Sequence, residues 1–208
     1  MPLSSPADRE ELHVRRVHCH GYKRADGLWD IEGHLTDVKT YAFDNRWRGR
    51  VQPDDPIHEM WLRLTVDDDM TIHGIEAVTD KSPFEICPSI TPNFQRLVGV
   101  RIGLGWRREI KQRLGGVEGC THLVELLGPL ATTAFQTMSA ERIRKRRAQS
   151  AEAQATGAQA AGGADAAPRR RPPILDTCHA WRSDGPVVRT ELPGFYTGAA
   201  EGGAGPAS

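Results

Sequence analysis

Residues 18–34 concentrate side chains that can donate or accept protons. His18, His20 and Tyr22 are spaced two apart, so their side chains would share one face of a β-strand. Imidazoles at this spacing can bind a metal ion or relay protons. The residues expected to carry general acid–base catalysis are His18, His20, Tyr22, Lys23, Asp30 and Glu32. The alternative is a solvated sheet face with cross-strand ion pairs, each worth less than about 1 kcal/mol.

A second candidate site lies in GGVEGCTHLVELL, residues 115–127. If a helix begins just after Gly119, its dipole would favour a thiolate at Cys120, and His122 could donate to that thiolate or share a metal ion with it. The alternative is that Cys120 is only a small buried residue at a tight turn. Cys120 and His122 are therefore candidate ligands of a metal ion.

Aromatic residues could line a pocket beside the acid–base groups. Trp29 and Trp61 are the expected aromatic walls, although Trp29 also marks the core face of its strand. The segment CHAW at 178–181 carries His179, which could contact substrate as part of a lid. A simple docking peptide would have the same composition, so both interpretations of this segment stay open.

The elements that must position these residues follow from hydropathy patterning. Alternating apolar and polar residues predict strands over 29–35 and 60–66. Residues 12–22 are expected to form an extended strand, and residues 72–78 the strand that returns after the turn VDDDMTI. Asp26-Gly27 is a strong hairpin signal between the first two strands. Residues 42–56 are rich in Pro, Asp and Arg and are predicted to form a loop. The first 80 residues are therefore expected to form an antiparallel meander with one polar face.

The second half changes to helical periodicity. Thr91 is predicted to cap a helix that has Pro92 at its first position, and helical residues continue to Gly115-Gly116. A further helix follows from 123, with an expected kink or restart at Gly128-Pro129. The predicted fold class is α+β, an antiparallel β-meander with helices packed on one face.

Domain organisation follows from composition. Residues 1–147 are expected to form a single α+β domain. Residues 148–173 contain no large apolar side chain and are expected to be a disordered linker. Residues 174–208 carry Trp, Phe and Tyr side chains and are expected to dock back on the domain, with a flexible end.

Composition and charge also exclude classes of partner. The net charge is +0, which gives no overall field to attract nucleic acid or an anionic membrane. No apolar stretch reaches the roughly 18 residues of a membrane span, and the N-terminus does not resemble a secretory signal. The four cysteines are scattered without a C-x-x-C pair, which favours reduced thiols in a cytoplasmic, bacterial protein. The expected partner is a small-molecule substrate, with a homo-oligomer also open.

Part of the chain resembles NifU-type iron–sulfur scaffold proteins. The resemblance covers residues 60–135 and rests on LRLTVDDDMTIHGIEAV, Cys87 and GCTHLVELLGPLATTAF. It implies a NifU/SufE-like fold and, under the alternative function, a metal ion or iron–sulfur cluster bound by Cys87, Cys120 and His122. The scaffold's first cysteine has no counterpart among residues 50–60, where only His58 could substitute for it. The scaffold's histidine precedes its cysteine, whereas His122 follows Cys120 here. The resemblance therefore implies a shared fold more strongly than shared cluster assembly.

Nearly the whole chain outside the linker resembles a bacterial family of the DUF2889 type, a domain of unknown function. The matching stretches are GYKRADGLWDIEGHLTDVKTY, HEMWLRLTVD, GCTHLVELL and CHAW. The resemblance implies a cofactor-independent enzyme of aromatic catabolism, a lyase that cleaves a carbon–carbon bond and releases formaldehyde. The sequence agrees in one respect, because no Gly-x-Gly-x-x-Gly fingerprint follows a predicted strand. No cofactor is therefore expected.

Overall fold

The computed structural model describes residues 3–155, 171–172 and 174–198. The chain divides into two compact units, Met1–Glu152 and Ala153–Ser208. None of the helices formed by the described residues has both the length and the apolar character needed to cross a membrane.

The first unit is built on an antiparallel sheet. Its strands are β1 (His13–Lys23), β2 (Trp29–Lys39), β3 (Phe43–Asn45), β4 (Gly49–Val51), β5 (His58–Val66) and β6 (Ile72–Lys81). The main sheet has the order β1-β2-β5-β6, and every neighbouring pair is antiparallel. The small β3–β4 hairpin lies inside residues 42–56, so the prediction of a loop without strands was wrong there. The predicted α+β class with an antiparallel sheet is confirmed.

Alternation along the strands separates a core face from an outer face. On β2, Trp29, Ile31, Gly33 and Leu35 are buried, and the residues that alternate with them are only partly covered. Ile31 pairs with Leu64 and Leu35 pairs with Met60, so the apolar residues of β2 and β5 lie side by side. Each fully buried side chain of this size contributes about 1.5–3 kcal/mol, which fixes the register of the two strands.

Helices cover the core face. They are a 3₁₀ segment (Cys87–Leu97), α1 (Trp106–Leu114), a 3₁₀ turn (Gly116–Glu118) and α2 (Thr121–Ala155). α1 ends at Gly115, as predicted. The capped helix predicted from Thr91 is instead the 3₁₀ segment, which begins four residues earlier. Thr91 Oγ1 donates to the carbonyl of Pro88 rather than to a helix N-terminus, and Pro92 inside the segment has no N–H for an α-helical bond.

α2 runs without interruption through Pro129. Of the two expected alternatives, the restart was therefore wrong, and the kink stays a prediction. The residue before a proline is normally kept out of helical geometry partly by its Cβ, and Gly128 has none. Helix α2 also extends to Ala155, so residues 148–155 are helical rather than part of a linker; their alanine-rich composition favours this. Most of the predicted linker, residues 156–170 and 173, lies outside the described residues.

α2 approaches the sheet closely at two glycines. A Cβ added at Gly21 would lie 1.9 Å from Thr137 Oγ1, and one added at Gly33 would lie 3.1 Å from Leu130 Cδ2. Glycine at these positions lets the helix backbone lie against β1 and β2. Because of this close approach, the first turn of α2 also lies next to the sheet.

We expect Gly21→Ala to lower the free energy of unfolding by about 1–3 kcal/mol, because the new methyl group must displace Thr137 or the helix. Chemical denaturation measured by circular dichroism checks this. Gly103→Ala is the matched control, because a Cβ there meets nothing within 4 Å and Gly103 is not among the glycines with a positive φ. Equal stabilities for the two variants would contradict the close packing of α2 on β1.

The second unit contains short elements in its described part. These are a 3₁₀ turn at His179–Trp181, α3 (Pro186–Glu191) and a 3₁₀ turn at Pro193–Phe195. The docking of residues 174–208 on the first unit stays a prediction.

Candidate active site

Asp37 is the one buried charged residue in the described part of the chain, with 1% of its surface exposed. It occupies the core face of β2, two residues after the buried Leu35. A buried carboxylate is costly unless it is paired and hydrogen-bonded, so its neighbours have to compensate its charge. They are His13, Arg15, His58 and His122, which together with Asp37 we call the Asp37 cluster.

Arg15 of β1 supplies the main compensation. The strand register places Arg15 directly across from Asp37. Arg15 Nε donates to Oδ1 at 2.7 Å and Nη2 donates to Oδ2 at 2.8 Å, a bidentate pair. His13 Nε2 adds a contact to Oδ1 at 3.1 Å. The pKa of the Asp37 carboxyl is held below its ordinary value: burial opposes this, but the hydrogen bonds and charge of Arg15 outweigh it. Asp37 is therefore ionised at neutral pH.

His58, the first residue of β5, lies on the other side of Asp37. It pairs directly with Asp37 in the sheet, and its Nδ1 lies 3.0 Å from Asp37 Oδ2. An ionised carboxylate only accepts hydrogen bonds, so Nδ1 carries the proton in the neutral ring and Nε2 keeps its lone pair. Burial, and then the neighbouring His122, lower the pKa of His58 to about 4. At neutral pH the His58 ring is therefore uncharged and held in place by Asp37, and its Nε2 can act as a base.

His122 reaches the cluster from the first turn of α2. Its ring stacks on that of His58 with centroids 3.7 Å apart. Its Nε2 lies 3.8 Å from Asp37 Oδ2, beyond hydrogen-bonding distance. Burial, and then Arg15, lower the pKa of His122. Two uncharged imidazoles can stack at this distance, whereas two imidazolium ions would repel.

Glu125, one turn further along α2, connects the helix to the sheet. Its carboxylate accepts a hydrogen bond from Arg15 Nη1, the guanidinium nitrogen that Asp37 leaves free. The N-terminus of α2 is therefore tied to β1 through one arginine. This link holds His122 over His58.

The cluster combines an ionised carboxylate with two neutral imidazoles. A carboxylate that orients an imidazole through Nδ1 makes the other nitrogen available for general base catalysis. The same side chains could hold a metal ion, because one ligand atom from each of Asp37, His58 and His122 lies within 4.8 Å of the others. His58 and His122 keep 13% and 24% of their side chains exposed, so small molecules can reach them.

The predicted acid–base residues lie elsewhere. His18, His20 and Tyr22 are exposed on the outer face of β1, and they pair with His34, Glu32 and Asp30 of β2 as the pattern predicted.

The outer face carries ion pairs. The pairs are Arg24 with Asp30, and Arg63 with both Glu32 and Glu76. This is the cross-strand arrangement that the alternative interpretation describes, and none of these residues contacts the Asp37 cluster. Their catalytic role stays a prediction.

Of three further candidates, two lie away from that outer-face group and one belongs to it. Lys23 lies on the helix side of β1 and forms an ion pair with Glu141 of α2. Trp29 is buried in the core, where its Nε1 donates to Asp68 at 3.0 Å, so it does not form a pocket wall. Trp61 is on the outer face and stacks on His34 with ring centroids 3.6 Å apart.

The predicted metal ligands are only partly brought together. His122 joins His58, which the sequence offered as a fourth ligand, and Asp37 replaces the cysteines. Among the described residues, Asp37, His58 and His122 form the one group of three His, Cys, Asp or Glu side chains with ligand atoms this close. Cys120 packs against the core with its Sγ 3.9 Å from Met60 Sδ, and Cys87 begins the 3₁₀ segment. His179 lies in the second unit.

Sequence reasoning missed His13, Arg15 and Asp37. One signal was available: Asp37 stands at a position of β2 that alternation assigns to the core, in phase with Leu35. A charged residue at such a position requires a partner. The identity of that partner depended on the strand register.

Comparison with known proteins identifies a family. A family model described as "Protein of unknown function (DUF2889)" matches residues 13–136, which include all five residues of the Asp37 cluster. No curated protein and no solved structure matches the chain.

Proposed function

The chain belongs to the DUF2889 family, and we propose that it is a small-molecule enzyme that uses acid–base chemistry at the Asp37 cluster. The observation that carries the proposal is the hydrogen bond from His58 Nδ1 to the buried, ionised Asp37. It leaves His58 Nε2 as a base in a partly water-excluded position beside a second neutral imidazole. Perturbed titratable groups that converge in this way are typical of catalytic sites.

We propose a carbon–carbon lyase as the reaction class, following the family resemblance. His58 Nε2 would remove the hydroxyl proton of a hydroxymethyl group on the substrate. The O–H electron pair would form the C=O bond of formaldehyde, and the electrons of the breaking C–C bond would pass to the remaining carbon. The proton held by His58 would then be returned to that carbon, through His122 or water. Atoms, electrons and protons balance without a redox cofactor.

An aromatic substituent on the remaining carbon would stabilise the developing negative charge, which favours aromatic catabolic substrates. The NifU/SufE-like character of the fold belongs to the proposal as well: the antiparallel sheet with α2 opening next to Cys120 supports it. Cytoplasmic location, bacterial origin and a homo-oligomeric state stay predictions.

The proposal is tested by incubating the full chain with aryl-substituted primary alcohols that carry the hydroxymethyl group beside a benzylic carbon. We expect formaldehyde and the shortened aromatic product in equal amounts. In deuterated water, one deuterium should be found at the carbon that lost the hydroxymethyl group. Formaldehyde trapping and mass spectrometry measure both products.

Two histidine variants then decide between the two candidate sites. His58→Gln removes the proposed base, and we expect formaldehyde release to fall to background. His20→Gln changes an exposed histidine on the outer face of β1 and should retain activity. Loss of activity in the His20 variant together with full activity in the His58 variant would overturn the assignment to the Asp37 cluster.

A further inference from the structure

We propose that Asp37, His58 and His122 also form a binding site for one divalent transition-metal ion, and that the bound ion inhibits the enzyme. One ligand atom from each residue lies within 4.8 Å of the other two. Asp37 Oδ2 lies 3.0 Å from His58 Nδ1 and 3.8 Å from His122 Nε2. A tetrahedral ion with bonds of ~2.0–2.2 Å needs its donor atoms roughly 3.4 Å apart. The measured distances are close to this value, and the two stacked rings would rotate out of the stack so that the lone pairs of both point at the ion.

The protonation states suit a metal ion. A ligating imidazole must be neutral and a ligating carboxylate must be ionised, and both conditions hold here because of burial and the Arg15 pair. His58 would bind through Nδ1, which at present carries the proton. That proton would pass to Nε2 as the ring changes tautomer, so binding at His58 releases no proton.

The surroundings of Asp37 support coordination. Ligating carboxylates are usually hydrogen-bonded to a further group that fixes their orientation, and Arg15 holds Asp37 through two hydrogen bonds. Arg15 also repels a cation. Its charge is balanced by two carboxylates, those of Asp37 and Glu125, which leaves the site with one net negative charge before the ion binds.

The donor set predicts the class of ion. Two imidazole nitrogens and one carboxylate oxygen suit Zn²⁺ and Co²⁺, whereas Mg²⁺ and Ca²⁺ prefer oxygen ligands alone. Three protein ligands leave a fourth position for water or a competing ligand.

The bound ion has a chemical consequence for the proposed reaction. It would replace the hydrogen bond between His58 and Asp37 and move a proton onto Nε2, the nitrogen that acts as base. We therefore expect the metal-loaded protein to be inactive in acid–base catalysis. Only this inhibition rests on the proposed function; metal binding itself is measured without substrate.

The experiment is a Co²⁺ titration of the chelator-treated full chain, followed by visible absorption, with Zn²⁺ used for displacement. We expect one equivalent of Co²⁺ to give a tetrahedral spectrum that Zn²⁺ abolishes and Mg²⁺ does not. His122→Gln should weaken Co²⁺ binding by at least about 100-fold, in line with the cost of disrupting ligand shells. His73→Gln is the control, because this exposed histidine is paired with Asp67 away from the cluster.

Thiol variants distinguish this site from one based on cysteine. Cys87→Ser and Cys120→Ser should leave the Co²⁺ spectrum unchanged. The spectrum of the parent protein should contain no thiolate-to-cobalt charge-transfer band. The proposal is overturned if stoichiometric binding is absent, or if it survives in a folded His122→Gln protein. It is also overturned if the serine variants abolish binding. A protein that binds Co²⁺ as described but never releases formaldehyde would retain the metal site and reject the lyase.

Discussion

Asp37→Asn is expected to lower the turnover number for formaldehyde release by about 10²–10⁴-fold, because the carboxylate fixes the tautomer of His58. An asparagine nitrogen facing His58 Nδ1 would donate a hydrogen bond to it. The proton would then move to Nε2, and the base would be lost although the side chain keeps its size. Steady-state kinetics on the substrate identified by product analysis measures the effect, which should appear in kcat more than in KM.

Glu32→Gln is the matched control for this variant. Glu32 lies on the same strand as Asp37 but on the outer face, where it pairs with the partly exposed Arg63. Its replacement should change turnover less than twofold and stability by less than about 1 kcal/mol. A folded Asp37→Asn protein with wild-type turnover would contradict the role of the carboxylate.

The sheet was predictable because its signals are local. β2 and β5 alternate in their own sequences, and Asp26-Gly27 marks the hairpin that joins β1 to β2. The structure places Gly27 at a positive φ of 87°, as such a turn requires. The short β3–β4 hairpin lacked this signal, because three-residue strands are too short to show alternation.

The helices were less predictable because packing competes with local signals. Pro129 is a helix breaker by propensity, yet α2 continues through it. Leu126, Leu127 and Leu130 on either side are fully buried against the sheet, and this burial outweighs the loss of one backbone hydrogen bond. Local propensity could not weigh that contribution, which depends on the position of the sheet.

The candidate site could be predicted least, because its residues are distant in sequence. Arg15, Asp37 and His58 form one row across three strands only because β1, β2 and β5 pair in one register. A shift of a single residue would move Asp37 to the opposite face. The many polar groups on the outer face pointed to residues 18–34. The Asp37 cluster was marked only by one charged residue, Asp37, at a position in phase with the core residues of β2.

The row of residues also links the fold to the proposed chemistry. In a sheet that served only stability, an apolar residue would be expected near the end of β2. Asp37 instead requires Arg15 and His58 as partners, and Arg15 requires Glu125 of α2. The strand register and the start of α2 are therefore both needed to assemble two neutral imidazoles.

We expect the chelator-treated protein to lose about 3 kcal/mol of stability as the pH falls from about 6.5 to about 4, through His58 alone. Burial and the neighbouring His122 lower the pKa of folded His58 to about 4, whereas in the unfolded chain it has its ordinary value of 6.5. Between these values the unfolded state binds the proton and the folded state does not, so acid favours unfolding. His122, whose pKa is also lowered, adds to the loss in the same direction. Urea denaturation at a series of pH values measures the dependence.

His58→Gln removes this titration and should flatten the pH dependence between 6.5 and 4. The charged and titratable groups that act on His58 are Asp37, His122 and Arg15. His13 contacts Asp37, and Glu125 contacts Arg15. Asp37 is held ionised by Arg15, so its own contribution is lost only below its ordinary pKa of 3.8, outside this window. His73→Gln, which removes a half-exposed histidine away from the cluster, should keep the parent dependence. Parallel stability curves for the parent and the His58→Gln protein would show that His58 titrates alike in the folded and unfolded states, which would contradict the lowering of its pKa by burial and by His122.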